Sequence, residues 1–305
     1  MKPSMAPLPS WREGRTRDAI LAFLEASHGI PVGNRTAIFD HDGTLRCEKP
    51  TLLLFDFMVH KVRTAAATRP DVADRADYQL ILRGDPAEVA RFGLRRCLAA
   101  VYELVAGMTP QEFTSAVRDF VHRRGSAHSR TDYRQLVYQP MLELIRVLRD
   151  AEFTVLINAR YSVEFVRAIS RDYYGVPPHC VVGTTVDYEY EYRDSGPALV
   201  RRSTIIGEIG RGATNVVNIQ TQTGLQPILA AGNSTSDREI LEYATASEGP
   251  SLALLIEHDD PEREYAYHEH FEARSGSESF VDLARHQGWT VVSMHRDWST
   301  IFPPA

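Results

Sequence analysis

The stretch that most constrains this chain is a short apolar run that ends in two carboxylates: Thr36-Ala37-Ile38-Phe39-Asp40, followed by His41-Asp42-Gly43-Thr44-Leu45. A continuous apolar run of this length reads as a strand buried on both faces, and Gly-Thr turns the chain immediately after it. Asp40 and Asp42 then stand one residue apart at one edge of a sheet. That edge holds a nucleophile, an acid/base group and an anchor for magnesium, the equipment for moving a phosphoryl group through an aspartyl phosphate.

The rest of the chain supplies the sheet. Residues 15–26 read as a helix with Ile20, Leu21, Phe23 and Leu24 on one face. From Thr51 to about Tyr138 the pattern is helical, through Leu52 to Val59, Val89 to Val105 and Glu112 to His122, with breaks expected at Asp71, Asp74 and Gly84-Asp85-Pro86. Strand-helix alternation then resumes. Pro140 opens a helix with Met141, Leu144, Ile145 and Leu148 in one stripe, Phe153 to Ile157 is a buried strand, and Val163 to Tyr173 is the next helix. Tyr188, Tyr190 and Tyr192 alternate with acids before Asp194-Ser195-Gly196, which predicts a hairpin whose tyrosines pack on a half-buried strand. Pro227 to Ala231, Leu252 to Ile256 and Trp289 to Met294 complete the strands. The expected architecture is α/β: a doubly wound, Rossmann-like parallel sheet from residues 1–48 and 140–305, with a helical cap inserted at 49–139.

Composition narrows the partners. A net charge of −6 over 305 residues offers no basic block to displace counterions, which argues against a general nucleic-acid binder. Cys47, Cys97 and Cys180 are too few and too scattered for a disulfide framework or a zinc knuckle. The first ten residues lack the apolar segment of a secretion signal and no window approaches a membrane span, so the expectation is a cytoplasmic enzyme with no membrane partner. Oligomeric state leaves no trace in the sequence.

In a doubly wound sheet, ligands sit at the carboxyl ends of the strands. Besides Asp40 to Thr44, two loops there carry polar residues suited to phosphate or metal: Asn158-Ala159-Arg160-Tyr161-Ser162 and Gly232-Asn233-Ser234-Thr235-Ser236-Asp237. Asp-x-Asp-Gly-Thr-Leu after one strand and Gly-Asn-Ser-x-x-Asp after a later one resemble the haloacid dehalogenase-like hydrolase superfamily, most closely its bacterial branch with a phosphoserine-phosphatase-like helical cap. The resemblance extends through Cys47-Glu48-Lys49-Pro50, Tyr138-Gln139-Pro140-Met141, Tyr174-Gly175-Val176-Pro177-Pro178 and Arg263-Glu264-Tyr265-Ala266-Tyr267 to the terminal Asp297-Trp298.

That resemblance implies a magnesium-dependent phosphatase for a small phosphorylated metabolite. It makes Asp40 the nucleophile and a metal ligand, and Asp42 the acid/base whose backbone carbonyl also faces the metal. Asn233 and Asp237 complete the Mg2+ shell, Gly43, Thr44 and Asn158 belong to the phosphate side, and Glu48 stands at the hinge into the cap, to meet a substrate amine or to cap a helix. His41, between the two carboxylates, is expected to point away from the nucleophile as a wall or tuning residue.

The chain departs from the pattern on the phosphate side. Where the family uses a Ser or Thr in an open glycine turn, this chain has Asn158-Ala159-Arg160-Tyr161. The lysine that offsets the phosphate charge falls by alignment at Asn215, and no lysine exists beyond Lys61. Losing one preorganised donor costs roughly 2.7–4 kcal/mol, or about 10²–10³ in rate. Arg160, Arg211 and Lys49 are the candidate replacements, Arg160 because it lies on the phosphate-facing loop and can clamp two oxygens. Two alternatives remain: a related chain that binds an anionic ligand without turnover, and an enzyme of this fold repurposed for a substrate without phosphate. His258-Asp259-Asp260 reads as a structural turn rather than a metal cluster, and Cys47 has no base to activate it.

Overall fold

The computed structural model describes residues 7–84, 86–123, 132–268, 270–273 and 276–304. Helix α1 (Arg15–Ser27) precedes strand β1 (Thr36–Asp40). Between β1 and the next strand lie only helices: α2 (Leu53–Ala66), α3 (Pro70–Ala73), α4 (Ala76–Arg83), α5 (Pro86–Phe92), α6 (Leu94–Leu104) and α7 (Pro110–Arg123). The single helix predicted over Val89 to Val105 is broken in two, because Gly93 takes φ 104°, outside the range a helix tolerates.

The chain returns through α8 (Gln139–Asp150), β2 (Thr154–Ala159), α9 (Val163–Tyr174) and β3 (Val181–Gly183). An antiparallel hairpin follows, β4 (Thr185–Arg193) with β5 (Gly196–Ile206). Then come α10 (Ala213–Thr223), β6 (Leu229–Gly232), α11 (Arg238–Thr245), β7 (Leu252–Glu257), a second small hairpin of β8 (His270–Ala273) and β9 (Gly276–Ser279), α12 (Phe280–His286), β10 (Thr290–Ser293) and α13 (Met294–Asp297). No helix among the described residues is long and apolar enough to cross a membrane.

Six strands form one parallel sheet in the order β10-β7-β6-β1-β2-β3. Alternation along each strand divides its side chains between two apolar layers. Ala37, Phe39, Val155, Ile157, Leu229 and Leu254 face one cluster, while Ile38, Leu156, Ala230, Ala253 and Leu255 face the other. Burial on both faces explains why these strands read as unbroken apolar runs. Successive strands leave β1 in opposite directions, toward β2 and toward β6, so the crevice at the β1/β6 boundary is the topological switch point. Asp40 and the Gly232-Asn233 turn both end there.

The hairpin corrects one expectation. Tyr188 is half-buried against the body, but Tyr190 and Tyr192 are 61% and 80% exposed. The outer half of the hairpin projects past the core, so strand alternation there has nothing to pack against.

Candidate active site

Strand β2 runs two residues further than predicted and takes in Asn158 and Ala159. Its parallel register sets Asn158 directly beside Asp40, and the Asn158 amide Nδ2 donates to Asp40 Oδ1 at 3.3 Å. Burial lifts the Asp40 carboxyl well above the usual carboxylate range, the charges of Asp237 and Asp42 lift it further, and Arg160 opposes them. At Asp237 burial again dominates, raising the value to about 6 against bonds from the Ser234 and Asn233 amides and the charge of Arg160.

Asp237 is fixed by local geometry. The N–H groups of Asn233 and Ser234 donate to its Oδ2 at 3.1 and 2.9 Å, and the Ser234 hydroxyl donates at 3.0 Å. This capping box opens the turn into α11. The Asn233 side chain lies across Gly43: a Cβ at residue 43 would fall 2.1 Å from Asn233 Nδ2, and Gly43 has φ 81°. Glycine is therefore required twice over, for space and for backbone conformation. The Gly43 N–H donates to the Arg46 carbonyl at 2.8 Å and the Thr44 hydroxyl donates to Asn233 Oδ1 at 3.2 Å. Both predicted phosphate contacts thus have partners inside the two turns.

Asp42 is held by residues that sequence reasoning assigned lesser parts or none. His41 Nδ1 and Arg46 Nη1 stand 3.2 and 3.4 Å from its Oδ1. Burial pushes the Asp42 carboxyl up, but these two neighbours outweigh it and leave the group below the usual range. His41 does point away from the nucleophile, as expected, and its Nε2 meets the Tyr174 hydroxyl at 2.9 Å. Tyr174, His41 and Arg46 are all buried. The one signal for Arg46 was a cation four residues beyond Asp42, across the turn at Gly43.

Of the three cations proposed to replace the missing lysine, Arg160 is the one acting on Asp40 and Asp237. Its guanidinium lies 4.9 Å from the Tyr161 ring centre, and its Nε is buried without a hydrogen-bond partner. Arg211 is exposed. Lys49 is exposed too, with its ammonium 4.6 Å above the Tyr267 ring. Asn215, at the lysine's place in the alignment, is fully buried and donates from Nδ2 to the Ser236 carbonyl at 3.2 Å, so its amide supports the Asp237 turn. Glu48 is largely buried beside Tyr267; burial raises its carboxyl, partly offset by Tyr267, Lys49 and His258.

His258 braces the first turn from behind, with Nε2 2.8 Å from the Gly43 carbonyl and Nδ1 3.2 Å from Glu264, which also accepts from Tyr138. Asp259 accepts from Ser293 and His295, and Asp260 from Arg263. Cys47 is buried, its thiol pushed up to about 12, chiefly by desolvation.

The void beside Asp42 and Arg160, lined by His41, Leu54, Tyr161 and Phe165 among others, measures about 10 Å³, one water at most. Two larger clefts, of 410 and 570 Å³, open at the other end of the sheet, by Thr154 and Thr36.

Magnesium takes oxygen ligands and commonly relies on one or two carboxylates plus water. Asp40 and Asp237 fit that demand, since both carboxyls are raised by burial and the charge of Asp237 lifts Asp40 further, a strain that a divalent cation between them relieves. Among the described residues no group of three or more His, Cys, Asp or Glu surrounds a single metal position. The fit is to a lightly held, water-completed ion.

No protein-family model matches the chain, and no curated protein matches it in sequence. Among solved structures, a conserved protein of unknown function from Anaerococcus prevotii DSM 20548 aligns with TM-score 0.53 and 14% identity over 83% of this chain and 92% of that one. A protein of unknown function from Bordetella pertussis Tohama I aligns with TM-score 0.50 and 18% identity over 85% and 98% of the two chains. A phosphoserine phosphohydrolase-like protein from Francisella tularensis aligns more loosely, at TM-score 0.42 and 14% identity over 86% and 95%. With the first two this chain shares the fold.

Proposed function

We propose that the chain is a magnesium-dependent phosphatase of the haloacid dehalogenase-like kind, hydrolysing a small phosphorylated metabolite. The observation that carries this reading is Asp40 at the switch point, bonded by Asn158, with Asp237 and Arg160 acting on its charge. Asp40 attacks phosphorus in line, the bond to the leaving oxygen breaks, and an aspartyl phosphate forms. Asp42 gives the leaving oxygen its proton and later takes one from the water that attacks the aspartyl phosphate. Its depressed pKa suits the second step better than the first. Arg160 takes the role of the absent lysine, spreading charge over two phosphoryl oxygens. Asp40 and Asp237, with Asn233 and the Asp42 carbonyl, would hold magnesium, which when bound would neutralise the carboxylate and phosphoryl charge.

The helices between β1 and β2 serve as the cap in this reading. Tyr102 of α6 donates to the Tyr161 carbonyl at 2.9 Å, and Phe57 of α2 packs 5.4 Å from Phe165 of α9. On this reading the insertion moves for substrate to enter, since the void beside Asp42 and Arg160 is smaller than a phosphomonoester. The test is phosphate release from a panel of phosphomonoesters with magnesium, for wild type and Asp40→Asn. Turnover abolished by Asp40→Asn is expected; equal activity in both proteins refutes the reading.

A second reading, ligand binding without turnover, draws on the same ionised Asp42 and the missing lysine. Beryllium fluoride with magnesium separates the two, because an Asp40-dependent rise in Tm requires a site competent to form the aspartyl phosphate.

A further inference from the structure

The hairpin β4–β5 lies outside the helical insertion in sequence, yet it is joined to it by backbone pairing. The Gly107 N–H donates to the Arg201 carbonyl at 2.9 Å and the Arg201 N–H donates to the Met108 carbonyl at 2.8 Å. Arg193 adds a bond to the Gly107 carbonyl at 2.7 Å, and Arg95 one to the Gly207 carbonyl at 3.0 Å. The Arg201 side chain is fully buried, with its guanidinium 4.3 Å from the Tyr102 ring centre and 4.8 Å from that of Phe113. Both rings belong to the insertion.

Two charged contacts join this assembly to the sheet body among the described residues: a part-exposed pair of Arg118 with Asp172 at 3.8 Å, and a buried one at Glu164. Arg201 Nε donates to Glu164 Oε2 at 2.8 Å, and the Tyr188 hydroxyl of the same hairpin donates to Glu164 Oε1. Glu164 lies in the first turn of α9, directly after the Arg160-Tyr161 loop, whose Tyr161 carbonyl accepts from Tyr102. One carboxylate thus receives both hairpin donors at the point where the insertion covers the site. The two Nη atoms of Arg201 have no hydrogen-bond partner, so the guanidinium relies on Glu164 and the two rings, and opening at this contact strands a buried charge.

We propose that the hairpin and the helical insertion form one composite lid, and that Glu164 is its latch, a positioning residue that couples lid closure to the loop bearing Arg160. The proposal rests on reading the insertion as a lid over Asp40. Its test needs no turnover, so an inactive protein would count against the phosphatase reading alone.

The test is hydrogen exchange by mass spectrometry on the full chain, for Glu164→Gln and for the double variant Glu164→Gln/Arg201→Met. The double variant removes both charges and keeps an apolar stem against Tyr102 and Phe113, so it folds even if the single variant does not. The amides of Val163, Phe165 and Val166, which bond Thr184 and Ser162 under the lid, should exchange about tenfold faster or more. The paired amides of Gly107 and Arg201 should keep their wild-type rates, because hairpin and insertion move together. Unchanged exchange at 163–166 overturns the latch. Gly107 and Arg201 accelerating in step with those residues overturns the composite lid. Global unfolding of the double variant assigns the pair to core stability and overturns the proposal as well.

Discussion

Arg160 is the residue on which the phosphatase reading turns, and its replacement has a magnitude that can be worked out beforehand. The guanidinium rests on Tyr161, with a buried Nε that bonds nothing, and its charge already acts on Asp40 and Asp237. A cation held in place before substrate arrives stabilises developing phosphoryl charge without reorganising. Removing one such donor costs about 2.7–4 kcal/mol, or 10²–10³ in rate. Arg160→Ala should therefore lower kcat by about 10²–10³ in steady-state phosphate release. Arg160→Lys restores the charge but not the two-pronged geometry, so it should recover part of the loss. The Tm of Arg160→Ala should not fall by more than a few degrees, because the side chain leaves a partly exposed loop and no hydrogen bond of its guanidinium is broken. Turnover within about tenfold of wild type in Arg160→Ala would mean that the phosphate charge is met elsewhere, and the replacement argument fails.

Other expectations follow from the acids around the switch point. Asp237, raised to about 6 in the folded state, binds its proton more tightly folded than unfolded, so metal-free stability falls as pH rises from about 4 to about 6, by ~3 kcal/mol. Magnesium should then raise Tm more at pH 7.5 than at pH 5.0, and equal shifts at both in differential scanning fluorimetry count against the metal site. Gly43→Ala places a Cβ 2.1 Å from the Asn233 amide at φ 81° and should cost about 1–3 kcal/mol in urea unfolding, with activity lost as Asn233 is displaced. Arg46→Met removes a guanidinium that holds Asp42 ionised, so the acid limb of the kcat/KM profile should move to higher pH; a limb that does not move assigns it to another group.

The sheet was legible because a strand buried on both faces must be apolar throughout, and β1, β2, β6 and β7 each announce themselves that way. The hairpin was legible from its turn and alternation. Its exposed Tyr190 and Tyr192 were not, because alternation reports periodicity and not what lies opposite. Local rules also failed at Gly93, where one positive φ divides a helix that the apolar pattern runs straight through. The hairpin of β8 and β9 has no apolar run and went unseen. At the site, Asp40, Asp42, Asn233 and Asp237 stood in short motifs that a sequence displays directly. Their supports do not: Tyr174 meets His41 across 133 residues and His258 meets Gly43 across 215. Such pairs are set by topology, which brings strand ends together, and no local spacing encodes them.

The loss of the lysine looks less anomalous once the acids are placed. Asp40, Asp42, Asp237 and Glu48 converge on one sheet edge, and three of the four are held above the ordinary carboxylate range, chiefly by burial. Asp42 is the exception, and it differs because Arg46 and His41 sit behind it rather than in the crevice. A cation that stabilised all four from within the crevice would occupy the space the phosphoryl group needs. On the phosphatase reading, dividing the task avoids that conflict: Arg46 serves Asp42 from the protein interior, and Arg160, on its loop, is left for the ligand. On that reading the positive charge at the site is moved rather than reduced. Asn215 is then released to support the turn that carries Asp237, which a lysine reaching toward Asp40 could not do.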